Sequence, residues 1–222
     1  MQQTMVEHAV RIPPLGLSGD LVVPAHATGV VLFAHGSGSG RHSTRNRYVA
    51  GVLQEGGLGT LLLDLLTTAE EQVDLQTRHL RFDIPLLAGR LLEATDWLQR
   101  EQSTRGLPIG YFGASTGGGA ALLAAAERPA EVGAVVSRGG RPDLAGIALA
   151  QVKAPTLLIV GGDDYEVIRL NRFALGEMQC QKQLSIVPGA SHLFEEPGTL
   201  EQVSAMALKW FQQCLVTTAL KK

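Results

Sequence analysis

The residues of this chain that suit nucleophilic chemistry sit where strand-like apolar runs end. Gly113-Ala114-Ser115-Thr116-Gly117 sets a serine between glycines two positions before and two after it. A serine hydroxyl can attack a carbonyl from a sharp strand-to-helix turn, where crowding of the backbone leaves the flanking positions no room for a Cβ. A helix starting just after it adds positive potential where negative charge would develop. The hydroxyl is a weak nucleophile, so it needs a base within reach, and the base needs an orienting carboxylate. His192, in Pro188-Gly189-Ala190-Ser191-His192-Leu193-Phe194, supplies the base. Gly161-Gly162-Asp163-Asp164-Tyr165-Glu166-Val167 supplies two candidate acids. Asp164 is favoured by its place in the turn, which leaves Asp163 to cap the following helix. The order is Ser, Asp, His, each just past a separate run. His8, His26, His42 and His79 lie in polar or terminal segments and have no comparable setting.

A developing oxyanion needs fixed N–H donors. The run Gly29–Ala34 opens into His35-Gly36-Ser37-Gly38-Ser39-Gly40-Arg41, a loop able to aim a backbone N–H. The N–H groups of Ser37 and Thr116 are the expected pair, with His35 fixing the loop. The same glycines invite a nucleotide-binding reading, with Asp64 imitating a ribose-binding acid. However, Gly36-x-Gly38-x-Gly40 misses the G-x-G-x-x-G spacing, and Asp64 lies beyond the usual ~20 residues. No G-x-x-x-x-G-K-[ST] is present either.

The elements that must position these residues are legible as near-continuous apolar runs at Gly29–Ala34, Thr60–Asp64, Leu107–Phe112, Val132–Ser137, Pro155–Val160 and Gln183–Val187. Such runs fit strands covered on both faces, as in a parallel sheet. Helical patterns lie between them. Phe82–Gln102 opens on Asp83 and Pro85, and Ser115–Arg128 is alanine-rich and stops at Pro129. Thr199–Cys214 opens on a Thr199-x-x-Gln202 capping-box pattern and carries an apolar stripe of Val203, Met206, Trp210 and Cys214. Alternation of strand and helix predicts a doubly wound α/β sheet. Glu7–Ile12 and Gly19–Val23, joined by a Pro/Gly turn, predict an antiparallel hairpin at its edge. Residues 1–222 read as a single domain, with Thr217–Lys222 fraying.

The chain of 222 residues is 45% hydrophobic, enough for one sizeable core. A net charge of −2 does not suggest nucleic acid. The N-terminus lacks the apolar run of a signal peptide, and nothing approaches the roughly 18 apolar residues of a membrane helix. Cys180 and Cys214 form no CxxC motif and no disulfide framework, so two free thiols in a reducing, cytoplasmic setting are expected.

Taken together, HGSGSG, GASTG, GGDDYEV and GASHLF resemble the α/β-hydrolase superfamily, and within it the dienelactone hydrolase-like branch, from about Gly29 to the final helix. The resemblance implies an eight-stranded, mostly parallel sheet with an antiparallel second strand, and an acyl-enzyme mechanism without metal or organic cofactor. It departs at one position: true dienelactone hydrolases carry cysteine where this chain has Ser115, which favours ordinary ester or thioester chemistry. Superfamily members often insert a cap after the strand ending near Ser137, but here only Arg138–Lys153 precedes the next strand, so the cap is minimal and the site open. Arginines ring this region: Arg41, Arg45 and Arg47 after the oxyanion loop, Arg138 and Arg141 after the later strand. Arg41, Arg138 or Arg141 could grip an anionic substrate group bidentately, against the alternative of solvated or ion-paired surface arginines. The expected activity is hydrolysis of a small-molecule ester or thioester by Ser115. Alternatives are a non-catalytic ligand-binding protein on this scaffold, or acyl transfer to an alcohol or peroxide. The acyl group and the oligomeric state are not encoded legibly.

Overall fold

A computed structural model describes residues 6–215. The expected fraying of Thr217–Lys222 concerns residues outside that span. In chain order the elements are β1 (Glu7–Ile12), β2 (Leu17–Val22), β3 (Val30–Ala34), α1 (Thr44–Glu55), β4 (Gly59–Leu63), α2 (Thr68–Thr77) and α3 (Ile84–Arg100). They continue with β5 (Ile109–Ala114), α4 (Thr116–Glu127), β6 (Val132–Arg138), β7 (Thr156–Gly161), α5 (Tyr165–Glu177), β8 (Lys182–Val187) and α6 (Thr199–Cys214). Short 3₁₀ segments occupy Leu80–Phe82 and Pro142–Gln151, the second kinked at Gly146.

The strands form one eight-stranded sheet in the order β1-β2-β4-β3-β5-β6-β7-β8. β2 runs antiparallel to β1 and β4, and the pairs from β4 to β8 are parallel. This is the α/β-hydrolase arrangement expected from the sequence, with its N-terminal hairpin and only the Pro142–Gln151 segment between β6 and β7. The continuous apolar runs follow from burial on two sides. In β3, Val31 and Phe33 face a cluster built with Val49 and Leu53 of α1 and with Trp210 and Phe211 of α6. Val30, Leu32 and Ala34 face the opposite cluster, built with Leu87, Leu91 and Leu98 of α3 and the alanines of α4.

Three helices go beyond those that periodicity marks. α1 buries Asn46, Val49, Ala50 and Leu53, and α2 buries only Asp74, so neither carries a strong apolar stripe. α5 is implied by sequence only as the helix after Asp164. One cap is corrected. Gly198, at φ 79°, takes the N-cap position of α6, and Thr199 Oγ1 donates to the Glu196 carbonyl at 2.7 Å instead. The capping box that does form belongs to Thr67 and Glu70 of α2. Asp83 caps α3 as expected, accepting from the Leu86 N–H at 3.0 Å.

Candidate active site

β5 leads directly into Ser115, which adopts φ 50°, ψ −121°, and α4 begins at the next residue. A non-glycine residue held there costs about 1–3 kcal/mol and persists only where its surroundings impose it. They do so on both sides. The Ser115 N–H donates to the Arg138 carbonyl at 3.2 Å, and the Ser115 carbonyl accepts from the N–H groups of Gly118 at 2.9 Å and Arg141 at 3.0 Å. The flanking glycines are required by close approach. A Cβ on Gly113 would lie 2.5 Å from the Gly117 carbonyl oxygen, and one on Gly117 only 2.2 Å from that of Ala34.

Asp164 occupies the N-cap position of α5, yet its side chain makes no capping bond. Its Oδ2 instead lies 2.6 Å from His192 Nδ1. The structure thus pairs the favoured acid with the histidine, while Asp163 is exposed and lies one residue before the N-cap position it was expected to fill. The loops after β7 and β8 are stitched together by Gly162 N–H to the Val187 carbonyl at 2.7 Å and Asp163 N–H to the Ala190 carbonyl at 3.0 Å. The imidazole lies over Gly139, where a Cβ would stand 3.5 Å from both Cε1 and Nδ1. Gly139 directly follows Arg138, the residue whose carbonyl holds Ser115. A carboxylate on Nδ1–H leaves Nε2 as the acceptor, the tautomer a general base requires. Ser115 and His192 line the same cavity of about 220 Å³.

The loop after β3 approaches from the other side. A Cβ on Gly36 would stand 3.0 Å from Ser115 Cβ. Among the described residues, the N–H groups of Ser37 and Thr116 have no protein acceptor, and Thr116 opens α4, where helix geometry supplies none. His35 is structural: Nδ1 bonds the Gly36 carbonyl at 2.9 Å, and Nε2 accepts from the Leu65 N–H at 3.1 Å. Burial pulls its pKa below the ordinary 6.5 and keeps it neutral. Asp64, the candidate ribose acid, instead bonds the backbone N–H of Arg41 at 2.7 Å and that residue's guanidinium. A second cavity, of about 180 Å³, opens across the loop and is lined by Ser37 and Thr116 together with Leu66, Leu75 and Leu87. The two cavities share Gly36, Ser37 and Ser39.

The three arginines named from sequence part company. Arg41 is held by Asp64 and by Asp20 at 3.4 Å, and Arg141 grips Asp143 through two bonds of 2.8 and 2.7 Å. Neither lines the Ser115 cavity, and adjacent carboxylates already occupy both guanidinium groups. Arg138 does line it, is 7% exposed, and leaves Nε and Nη1 without a partner. Burial, reinforced by the nearby Arg45 charge, lowers its pKa to about 10. Ser43 and Asn46, at the start of α1, also line this cavity and escape a reading of the sequence. The Ser43 N-cap is the available signal, but too few apolar residues follow it to mark a helix.

Comparison with known proteins bears on the family and the fold. The model of the dienelactone hydrolase family matches residues 66–216. A dienelactone hydrolase structure from Anabaena variabilis ATCC 29413 is 62% identical, covers 97% of this chain and 100% of its own, and superposes with a TM-score of 0.93. Est1E from Butyrivibrio proteoclasticus, at 15% identity and TM-score 0.77 over 93% of this chain and 98% of its own, shares the fold. Proteins from two strains of Mycobacterium tuberculosis, provisionally named phosphoribosyl transferase, are 59% identical over 198 residues, 89% of this chain. That match is 44% of their length, so this chain spans less than half of those relatives. With the family model matching more than half of its residues, the chain belongs to the dienelactone hydrolase family.

Proposed function

We propose that this protein is a serine hydrolase that cleaves small esters or thioesters through an acyl-enzyme. The observation that carries the reading is the 2.6 Å contact between His192 Nδ1 and Asp164 Oδ2, with His192 in the cavity that also holds Ser115 at its strained turn. His192 Nε2 takes the Ser115 proton as Oγ attacks the carbonyl carbon. The N–H groups of Ser37 and Thr116 receive the oxyanion. The protonated imidazole, stabilised by Asp164, gives its proton to the leaving oxygen or sulfur. Water, deprotonated by His192, then attacks the acyl-enzyme and releases the acid and free Ser115. Cavities of about 180 and 220 Å³ meeting at the oxyanion loop support a small substrate with one group on each side.

The name phosphoribosyl transferase belongs to relatives of which this chain matches 44%, and we assign hydrolase chemistry to the matched portion. The free thiols of Cys180 and Cys214 support a reducing compartment such as the cytoplasm. A neutral fluorophosphonate is expected to label Ser115, and Ser115→Ala is expected to lower kcat/KM on short-chain esters by at least about 10³-fold with an unchanged circular dichroism spectrum. Retention of activity, or labelling elsewhere, would reject the assignment. Labelled protein with no turnover on esters, thioesters or lactones would favour the ligand-binding alternative.

A further inference from the structure

The cavity beside Ser115 and His192 holds more positive charge than ester hydrolysis needs. Its lining includes Arg138 and Arg45 and no aspartate or glutamate. Arg138 is more than nine-tenths buried, enters no ion pair among the described residues, and leaves Nε and Nη1 unpartnered. A buried cation without a counter-charge is costly unless a ligand supplies one. Arg45 touches the exposed Glu195 at 3.1 Å through Nη1, while its own Nε is buried and unpartnered. The start of α1, a 12-residue helix, lines the same cavity through Ser43, Arg45 and Asn46. The N–H groups of Thr44 and Arg45 have no acceptor among the described residues. A helix N-terminus, a buried unpaired guanidinium and a second guanidinium therefore converge on one space.

Resting on the hydrolase reading, we infer that this cavity is a phosphoryl subsite, and that the substrate is an ester carrying a phosphate monoester on its His192 side. A phosphate monoester has three terminal oxygens and close to two negative charges at neutral pH. That matches two arginines and the hydroxyls of Ser37, Ser39 and Ser43 better than two carboxylate oxygens do. The Ser115 N–H bonds the Arg138 carbonyl at 3.2 Å, so the subsite adjoins the reacting hydroxyl on the chain itself.

The test uses three matched esters differing only in a terminal group: phosphate, carboxylate or neutral hydroxyl. The phosphorylated ester is expected to exceed both others in kcat/KM by at least tenfold. Arg138→Gln collapses that ratio, and Arg138→Lys restores part of it. Inorganic phosphate raises the Tm of the wild-type protein and slows fluorophosphonate labelling of Ser115, and Arg138→Gln loses both effects. If Arg138→Gln fails to fold, Arg45→Gln provides the same comparison. Equal rates on phosphorylated and neutral esters, preference for the carboxylate, or phosphate effects unchanged in the variant would each overturn the subsite. Phosphate protection without preference for the phosphorylated ester would overturn it as a substrate subsite. Absence of Ser115 labelling would sink the hydrolase reading instead, while the phosphate-dependent Tm still reports on the subsite.

Discussion

At the scale of single residues, the histidines divide by what their ring nitrogens touch. His192 meets Asp164 through Nδ1 and lines the same cavity as Ser115, whereas both nitrogens of His35 are spent on backbone. Protonating His35 Nε2 would set an N–H against the Leu65 N–H, and burial already lowers the pKa of the folded form. The unfolded chain therefore binds the proton first as pH falls. The stability His35 contributes is complete above its unfolded pKa, about 6.5, and is lost as pH drops toward the lowered folded value. Thermal melts of wild type and His35→Gln should show a Tm difference that shrinks between pH 7.5 and 5. A difference constant across that range would refute the assignment.

At the scale of elements, the site depends on turns rather than on regular structure. Gly113 and Gly117 let β5 and α4 meet at Ser115, and Gly117 lies against the carbonyl of Ala34 at the end of β3. Gly117→Ala is expected to lower both Tm and the rate of Ser115 labelling, since the clash is with backbone and cannot be relieved by a rotamer. Gly51, within α1, has only open space within 4 Å of where a Cβ would stand, so Gly51→Ala is expected to stabilise by up to about 1 kcal/mol through helix propensity. Melting curves of the two variants should shift in opposite directions. The sequence signals Gly117 through G-x-S-x-G, because chemistry fixes that spacing. It misdirects at the cap of α6, because a Thr-x-x-Gln pattern does not reveal that Gly198 enters the helix at positive φ.

At the scale of the whole molecule, two apolar layers hold the sheet, and the site lies where strands of that sheet end. α6 closes one layer through Val203, Ala207, Trp210 and Phe211, and Trp210 Nε1 also donates to the Pro155 carbonyl at 3.3 Å. Trp210→Ala should cost about 3–5 kcal/mol and lower Tm by on the order of 10 °C. Because Trp210 packs in that layer and lines neither cavity of the site, the rate per folded molecule at low temperature should change little. A Tm unchanged within a degree would contradict the packing described.

The succession of strands and helices along the chain was readable from the sequence alone. Doubly buried strands are written as uninterrupted apolar runs, and Ser115, Asp164 and His192 stand where three of those runs end. The arginines were not readable in this way. Arg41 and Arg138 look alike in sequence, but Arg41 meets Asp20 and Asp64, both distant along the chain, while Arg138 meets no acid among the described residues. Local sequence determines periodicity and turns because these depend on near neighbours. Burial and counter-charge depend on partners brought together by folding, so only the tertiary structure decided which guanidinium stands free beside the serine.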